Sequence, residues 1–330
     1  MADYRLKSYE FRRERQSDWE ELSELLDRAA KGLGTLTSAE LYRLPALYRA
    51  VLSSLSVARA ISLDKNVVAY LEDLAARAFV VLYGTQHGLL QAIRTFFTHW
   101  FPRRVRSLSW GVLLSIGLLI LGAASGFMMT IHDSERFYSF VPSHLAGDRT
   151  PASTAEDLLD ALKGRGVAEE LTLFATSLFT HNTSVGFLCF AIGVAFGVPV
   201  ALLVFYNGLI LGAFAAIYYQ QGLALPFWAW VLPHGVTELL AVCICGATGF
   251  AIGQSLIFPG PYSRLENLAR RGRDAASVAA GAAALFFLAA LLEGFFRQMV
   301  HHEAVRLTVA LATAIGWVAY FSLAGRGEEP

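Results

Sequence analysis

Charged residues are missing from a long central part of the chain. Residues 171–237 form a run of 67 positions without one Asp, Glu, Lys or Arg. A water-soluble domain carries charged side chains on its surface, so this run excludes a wholly soluble protein. As one continuous helix it would extend about 100 Å, against a hydrocarbon core of about 30 Å. We therefore expect it to cross a bilayer and turn back two to three times.

Several other signals are scarce or missing. The three cysteines, Cys189, Cys243 and Cys245, all fall in apolar segments, which argues against a disulfide framework. Residues 1–30 contain no apolar run of the kind that forms a cleaved signal peptide. The formal net charge is zero, so nucleic acid is not an expected partner. Residues 1–101 contain no glycine-rich phosphate loop and no nucleophile motif, so no cofactor is expected and an enzyme is not favoured.

The composition instead favours a membrane protein. Hydrophobic residues make up 55% of the chain and charged residues only 16%. These values are typical of an all-α, polytopic helical integral membrane protein with a modest soluble part. The apolar runs predict about six transmembrane helices, over residues 108–130, 183–204, 206–220, 227–258, 275–296 and 304–324.

The distribution of charge predicts the topology. Residues 1–106 hold 16 Lys or Arg against 12 Asp or Glu, whereas residues 131–182 hold 4 against 8. Arginine clusters at residues 103–106 and 264–273 each flank a predicted span. Because basic segments stay on the cytoplasmic side, we expect residues 131–182 to lie outside and both termini to lie in the cytoplasm.

The chain is predicted to have two parts. Residues 1–101 form a cytoplasmic helical domain, ending in an interfacial elbow helix over residues 89–101 that is rich in aromatic residues. Residues 102–330 form the transmembrane domain, including the extracytoplasmic segment 131–182. In the first domain, Ser17 with Glu20 and Thr37 with Glu40 have the spacing of capping boxes, which predicts a helix start at each.

One junction in the uncharged run has two readings. Residues 199–210 contain Pro199 and the Asn207-Gly208 pair, but no Lys or Arg. They form either a full turn between two spans or a re-entrant break buried in protein.

Pairs of glycines spaced four residues apart recur in the predicted spans. This spacing lets two helix backbones approach closely. The contact is either within one subunit or on the face of a homodimer. The pairs are Gly122 with Gly126, Gly193 with Gly197, Gly208 with Gly212, and Gly249 with Gly253.

An intramembrane polar site is predicted around His234 and Glu238. These two residues share a helix face, and each is costly to bury in a bilayer unless it meets a polar partner. Glu293, Asn182 and Asn207 are expected to belong to the same site. Three roles stay open: a hydrogen-bonded network that fixes helix packing, a proton or ion relay, and a metal site. The candidate metal ligands are His181, His234 and Glu238.

Several of these motifs resemble one known family. This is the stage II sporulation protein M family. The resemblance to its membrane core is carried by the segments Tyr206-Asn207-Gly208, Pro233-His234-Gly235 with Glu238, and Leu292-Glu293-Gly294-Phe295. Leu47-Tyr48-Arg49 and Leu82-Tyr83-Gly84 resemble the helical N-terminal region of its longer, non-sporulating bacterial members. The resemblance implies a bacterial cytoplasmic (inner) membrane protein that is not known as an enzyme. It further implies envelope proteins and a cytoplasmic AAA-type ATPase as partners.

We therefore expect a membrane scaffold or assembly component that recruits envelope or cytoplasmic partners. The first alternative is a transporter or channel that uses His234 and Glu238, which would require a polar path to both surfaces. The second is an intramembrane metalloenzyme, which would require three ligands around one ion.

Overall fold

A computed structural model describes residues 2–30, 32–60, 65–83, 89–163, 180, 182–296, 299–300 and 302–327. Every regular element in this part of the chain is helical, which confirms the all-α class. The chain divides into two compact units, Met1–Ala92 and Ile93–Pro330. This division lies nine residues before the predicted domain boundary at residue 101.

The first unit consists of three long helices. They are α1 (Ala2–Ala29), α2 (Ser38–Ala60) and α3 (Lys65–Tyr83), with a short 3₁₀ turn at Leu33–Thr35. Their apolar faces meet in one core that includes Leu22, Leu44, Val51 and Leu71, each at most 1% exposed. The Trp19 indole lies in this core and donates to Ser54 Oγ at 3.2 Å.

Only one of the two predicted capping boxes begins a helix. At the start of α2, the Thr37 amide donates to Glu40 Oε2 at 2.7 Å, and the Glu40 amide donates to Thr37 Oγ1 at 3.4 Å. The prediction at Ser17 is wrong, because α1 begins at Ala2 and runs through that position. Glu20 instead accepts from the Gln16 side chain at 2.7 Å, an i,i+4 contact inside a continuous helix.

The second unit contains the membrane helices. The helix α4 (Leu89–Thr95) continues through a π turn (Phe96–Trp100) into α5 (Phe101–Ser107), so the predicted elbow is built from several pieces. The remaining helices are α6 (Ser109–His132), α7 (Phe137–Phe140), α8 (Ser143–Ala146), α9 (Ala155–Lys163), α10 (Asn182–Ile192), α11 (Val198–Gln220), α12 (Ala224–Ile257), α13 (Arg264–Leu291) and α14 (Glu303–Leu323). A second π turn, Leu292–Phe296, follows α13.

Five described helices are long and apolar enough to cross a membrane: α6, α11, α12, α13 and α14. This finding confirms a polytopic membrane protein, although about six spans were predicted. The remaining predicted span begins on α10, which is apolar and is described over 11 residues. Residues 164–179, just before it, lie outside the described residues.

The predicted breaks at Pro199 and Asn207-Gly208 are wrong. The structure turns at residues 193–197 instead, where Phe196 (φ 60°) and Gly197 (φ 78°) adopt left-handed backbone conformations. Pro199 lies in the first turn of α11, where its missing N–H leaves no helical hydrogen bond unmade. α11 continues through Asn207 without interruption.

Contacts between the helices define two ends of the membrane unit. Arg104 of α5 pairs with Asp274 of α13 at 2.9 Å, and Arg106 Nη1 donates to the carbonyl of Ala324, just after α14, at 2.7 Å. Both predicted arginine clusters therefore lie at one end, called the basic end below. At the opposite end α7, α8 and α9 pack against the end of α11 and the start of α12. The Tyr206 hydroxyl, about two turns after the start of α11, donates to the Phe140 carbonyl at 2.8 Å. The segment that follows α6 therefore folds back along the bundle.

The predicted glycine pairs all lie at helix contacts within this one chain. Gly122 and Gly126 of α6 meet the backbone of α11, and Gly208 and Gly212 of α11 meet the backbone of α6. In the same way, Gly193 and Gly197 of the turn meet Gly249 and Gly253 of α12. Gly197 has a left-handed backbone conformation, which favours glycine. At each of the other seven glycines, an added Cβ would clash with backbone atoms of the neighbouring segment.

Candidate functional site

The helix α12 carries the two residues at the centre of the predicted site. His234 and Glu238 lie one turn apart on one face, and each is 3% exposed. Pro233 lies inside the helix and cannot donate to the Ala229 carbonyl, so the turn just before His234 lacks one backbone hydrogen bond.

A cavity of about 90 Å³ lies between α11 and α12, toward the end of the unit that carries α8 and α9. Its apolar wall includes Phe214, Phe227 and Trp230. The polar groups that line it are those of Asn182, Asn207, Tyr218, His234, Glu238 and Arg149. A space of this volume has room for several water molecules.

Only part of the polar lining is satisfied by the protein. The Asn182 side chain forms a hydrogen bond with the Glu238 carboxyl. Glu238 Oε1 and the Tyr218 hydroxyl are buried, and neither has a hydrogen-bond partner among the described residues. The edge of the Trp230 ring meets His234 at 5.7 Å between centroids and 89° between planes. The cavity therefore offers one acceptor and one hydroxyl to a water molecule or another polar guest.

Glu293 lies beside this cavity rather than in its lining. It belongs to the π turn that follows α13, is 3% exposed, and is close enough for its charge to act on Glu238. The structure thus brings Asn182, Asn207, His234 and Glu238 to one cavity and sets Glu293 next to it. The role of these residues stays a prediction.

Toward the basic end, close packing closes the cavity. Its lining ends at Leu239, and residues 241–249 of α12 are buried, including Cys243 and Cys245 at 1% and 0% exposure. A Cβ on Gly246 would lie 2.6 Å from Ser115 Oγ, and one on Gly249 would lie 2.9 Å from Val200. Within the described residues, the cavity does not continue through this layer.

The predicted metal site stays a prediction. His181 lies outside the described residues, so its position relative to His234 and Glu238 is not described. Among the residues that are described, no group of three His, Cys, Asp or Glu side chains is placed to hold a metal ion.

Sequence reasoning missed most residues that line the cavity, among them Tyr218, Trp230 and Arg149. Trp230 lies one turn before His234, so the helical spacing could have identified it. Tyr218 is one of several aromatic residues near the end of a span, and nothing in the sequence indicates that it turns inward. Arg149 belongs to a predicted external segment, and only the folding back of that segment brings it to the cavity.

Comparison with known families gives two matches along the chain. Residues 111–297, more than half of the chain, match the model of Stage II sporulation protein M, and this range includes His234, Glu238 and Glu293. Residues 9–84 match a domain of unknown function, DUF8413, which falls within the first unit. Comparisons with curated proteins and with solved structures gave no match. The membrane helices and the match over most of them show that the chain belongs to the Stage II sporulation protein M family.

Proposed function

We propose that the protein is an integral membrane scaffold, an assembly component that recruits envelope or cytoplasmic partners. The observation that carries the proposal is that the cavity beside His234 and Glu238 ends at a tightly packed layer. A transporter or channel needs a polar route to both surfaces, whereas the layer of glycine contacts between Leu239 and the basic end is packed tightly. A scaffold needs only a rigid bundle and no such route.

The packing of the bundle supports this role. The contacts of Gly122 and Gly126 with α11, and of Gly249 with the α10 backbone, bring helix backbones together over long stretches. The Trp317 indole donates to Thr237 Oγ1 at 2.9 Å and ties α14 to α12. Such contacts favour a single arrangement of the helices on which partners can assemble.

The place and the partners are part of the proposal. The arginines at the basic end support a cytoplasmic location for that end in a bacterial inner membrane, with both termini in the cytoplasm. The resemblance to the longer family members supports an AAA-type ATPase as the cytoplasmic partner. A homodimer is a further candidate assembly.

A second candidate function, transport, is supported by one specific observation. Glu238 Oε1 is buried without a hydrogen-bond partner among the described residues, in the lining of a cavity with room for water. A buried carboxyl group of this kind is a frequent part of proton and ion pathways. No observation favours the intramembrane metalloenzyme, and it is not proposed.

One experiment on the full chain separates the two candidates. The chain is crosslinked in membranes, purified, and compared with an unrelated polytopic protein that carries the same tag. A scaffold retains companions in stoichiometric amounts that the control lacks, and in vesicles it leaves an imposed pH gradient intact. A chain that purifies alone and dissipates the gradient, and that loses this activity in Glu238→Gln, would replace the scaffold with a transporter.

A further inference from the structure

A second cavity, separate from the polar one, opens at the basic end. It is a groove of about 530 Å³, within the ~300–1,000 Å³ usual for ligand sites. It lies between α5 and α6 on one side and α14 on the other, with α12 contributing to the wall. Most of its lining is hydrocarbon, from Val112, Leu113, Val236, Leu240, Val318 and Phe321.

Arg106 and Arg326 are the charged residues of this lining, which includes no acidic side chain among the described residues. Arg106 is held in place, because its Nη1 donates to the carbonyls of Phe321 at 2.9 Å and Ala324 at 2.7 Å. Its Nε and Nη2 make no hydrogen bond within the described part of the chain. Arg326 is exposed and forms no ion pair there. Within the described residues, one end of this apolar groove therefore presents positive charge that no carboxylate neutralises.

The place of the groove along the helices is the level at which we expect a phospholipid headgroup to meet its acyl chains. Trp110, at the start of α6, is 79% exposed at this level, as in the aromatic belt of membrane proteins. Between Ala314 and Phe321 the groove follows α14 for about 10 Å. That length fits inside one leaflet, about 15 Å of the ~30 Å hydrocarbon core.

We propose that this groove binds one anionic phospholipid. The phosphate pairs with Arg106 and Arg326, and an acyl chain lies along Leu113, Leu240 and Val318. An anionic phospholipid fits because its negative phosphate complements the positive charges of Arg106 and Arg326. A partner helix with an apolar face would instead cover both guanidinium groups and leave them buried without a counter-charge, which is costly. The proposal does not depend on the scaffold function.

The test measures lipid bound to the full chain in mild detergent by native mass spectrometry. Phosphatidylglycerol and phosphatidylcholine are compared on the wild type and on three variants. Arg326→Gln removes one charge, and Val318→Trp fills the groove without changing charge. Arg273→Gln, an exposed arginine at the same end that does not line the groove, is the matched control.

The wild type should bind phosphatidylglycerol in preference to phosphatidylcholine. Arg326→Gln should weaken phosphatidylglycerol binding roughly fivefold, the factor expected for one arginine near an anionic headgroup. Val318→Trp should abolish the preference, and Arg273→Gln should bind as the wild type does. Unfolding midpoints equal to that of the wild type would exclude misfolding as the cause. Equal binding of both lipids, or an equal loss in Arg326→Gln and Arg273→Gln, would overturn the proposal.

Discussion

Replacing Gly212 by alanine would test the contact between α6 and α11. The added Cβ would clash first with the Ala123 carbonyl oxygen, and it would lie 2.7 Å from both the Ala123 carbonyl carbon and the Phe127 nitrogen, whereas unstrained contacts begin near about 3.5 Å. The helices must then separate by at least ~1 Å, and a gap of ~1 Å already forfeits up to about half of each dispersion contact along the face. Overpacking of this kind costs about 1–3 kcal/mol. Alanine's better helix propensity returns at most about 1 kcal/mol, so we expect a net loss of up to about 2 kcal/mol and a larger difference from a glycine-to-alanine change without a clash.

The matched control is Gly117→Ala, on α6. A Cβ at Gly117 meets nothing within 4 Å, so the same chemical change should cause no loss of stability. Both variants would be unfolded in mixed micelles with rising denaturing detergent, and helix content would be followed by circular dichroism. If Gly212→Ala proves as stable as Gly117→Ala, the helices do not touch backbone to backbone and the packing argument fails.

Three further predictions concern other parts of the chain. Glu238→Gln should lower the unfolding midpoint in detergent less than Glu238→Leu, because leucine leaves the buried Asn182 amide without its partner at a cost of about 1–3 kcal/mol. Equal midpoints would count against the hydrogen-bonded network. Hydrogen bonding from Arg28 lowers the pKa of Glu40 from 4.5 to about 2, so its stabilisation is present above pH 4.5 and is lost as the pH falls toward 2. Between pH 4.5 and 2, Glu40→Gln should therefore lose less helix content than the wild type. Identical losses of helix content in the two proteins would contradict this prediction. On intact cells, an impermeant thiol reagent should label Ser143→Cys and spare Arg271→Cys, whereas the reverse pattern would invert the topology.

The membrane helices could be predicted from the sequence because their physical signal is local. A bilayer demands about 20 apolar residues for each crossing, so the absence of charge is sufficient to find α6, α12 and α14 within a few residues. The capping box at Thr37 and Glu40 is local in the same sense, since both partners lie within one turn.

The turn between α10 and α11 could not be located in this way. Pro199 and Gly208 were expected to break the chain, yet a proline is also suited to the first turn of a helix, and a glycine is also suited to a close helix contact. Which role applies depends on the neighbouring helix. At Gly208 that neighbour is α6, far away in the sequence.

In the candidate site, too, only the features with a local sequence signal could be predicted. His234 and Glu238 stand out because ionisable residues are costly in a membrane, and their spacing alone puts them on one face. Tyr218 and Arg149 reach the same cavity only through the packing of α11 and the folding back of the segment after α6. Periodicity within one helix carries no information about such contacts.

The most direct test of a cavity closed at the basic end uses the three native cysteines. Cys189, Cys243 and Cys245 are at most 1% exposed and lie in or beside the layer of glycine contacts, whereas Leu239 lines the cavity. A small, water-soluble thiol reagent would be applied to the folded protein in vesicles, from each side in turn. We expect the native thiols to stay unmodified from both sides and Leu239→Cys to react only from the side opposite the basic end. Modification of Cys243 or Cys245 in the folded protein, or reaction of Leu239→Cys from the basic end, would reveal a continuous path and contradict the scaffold account.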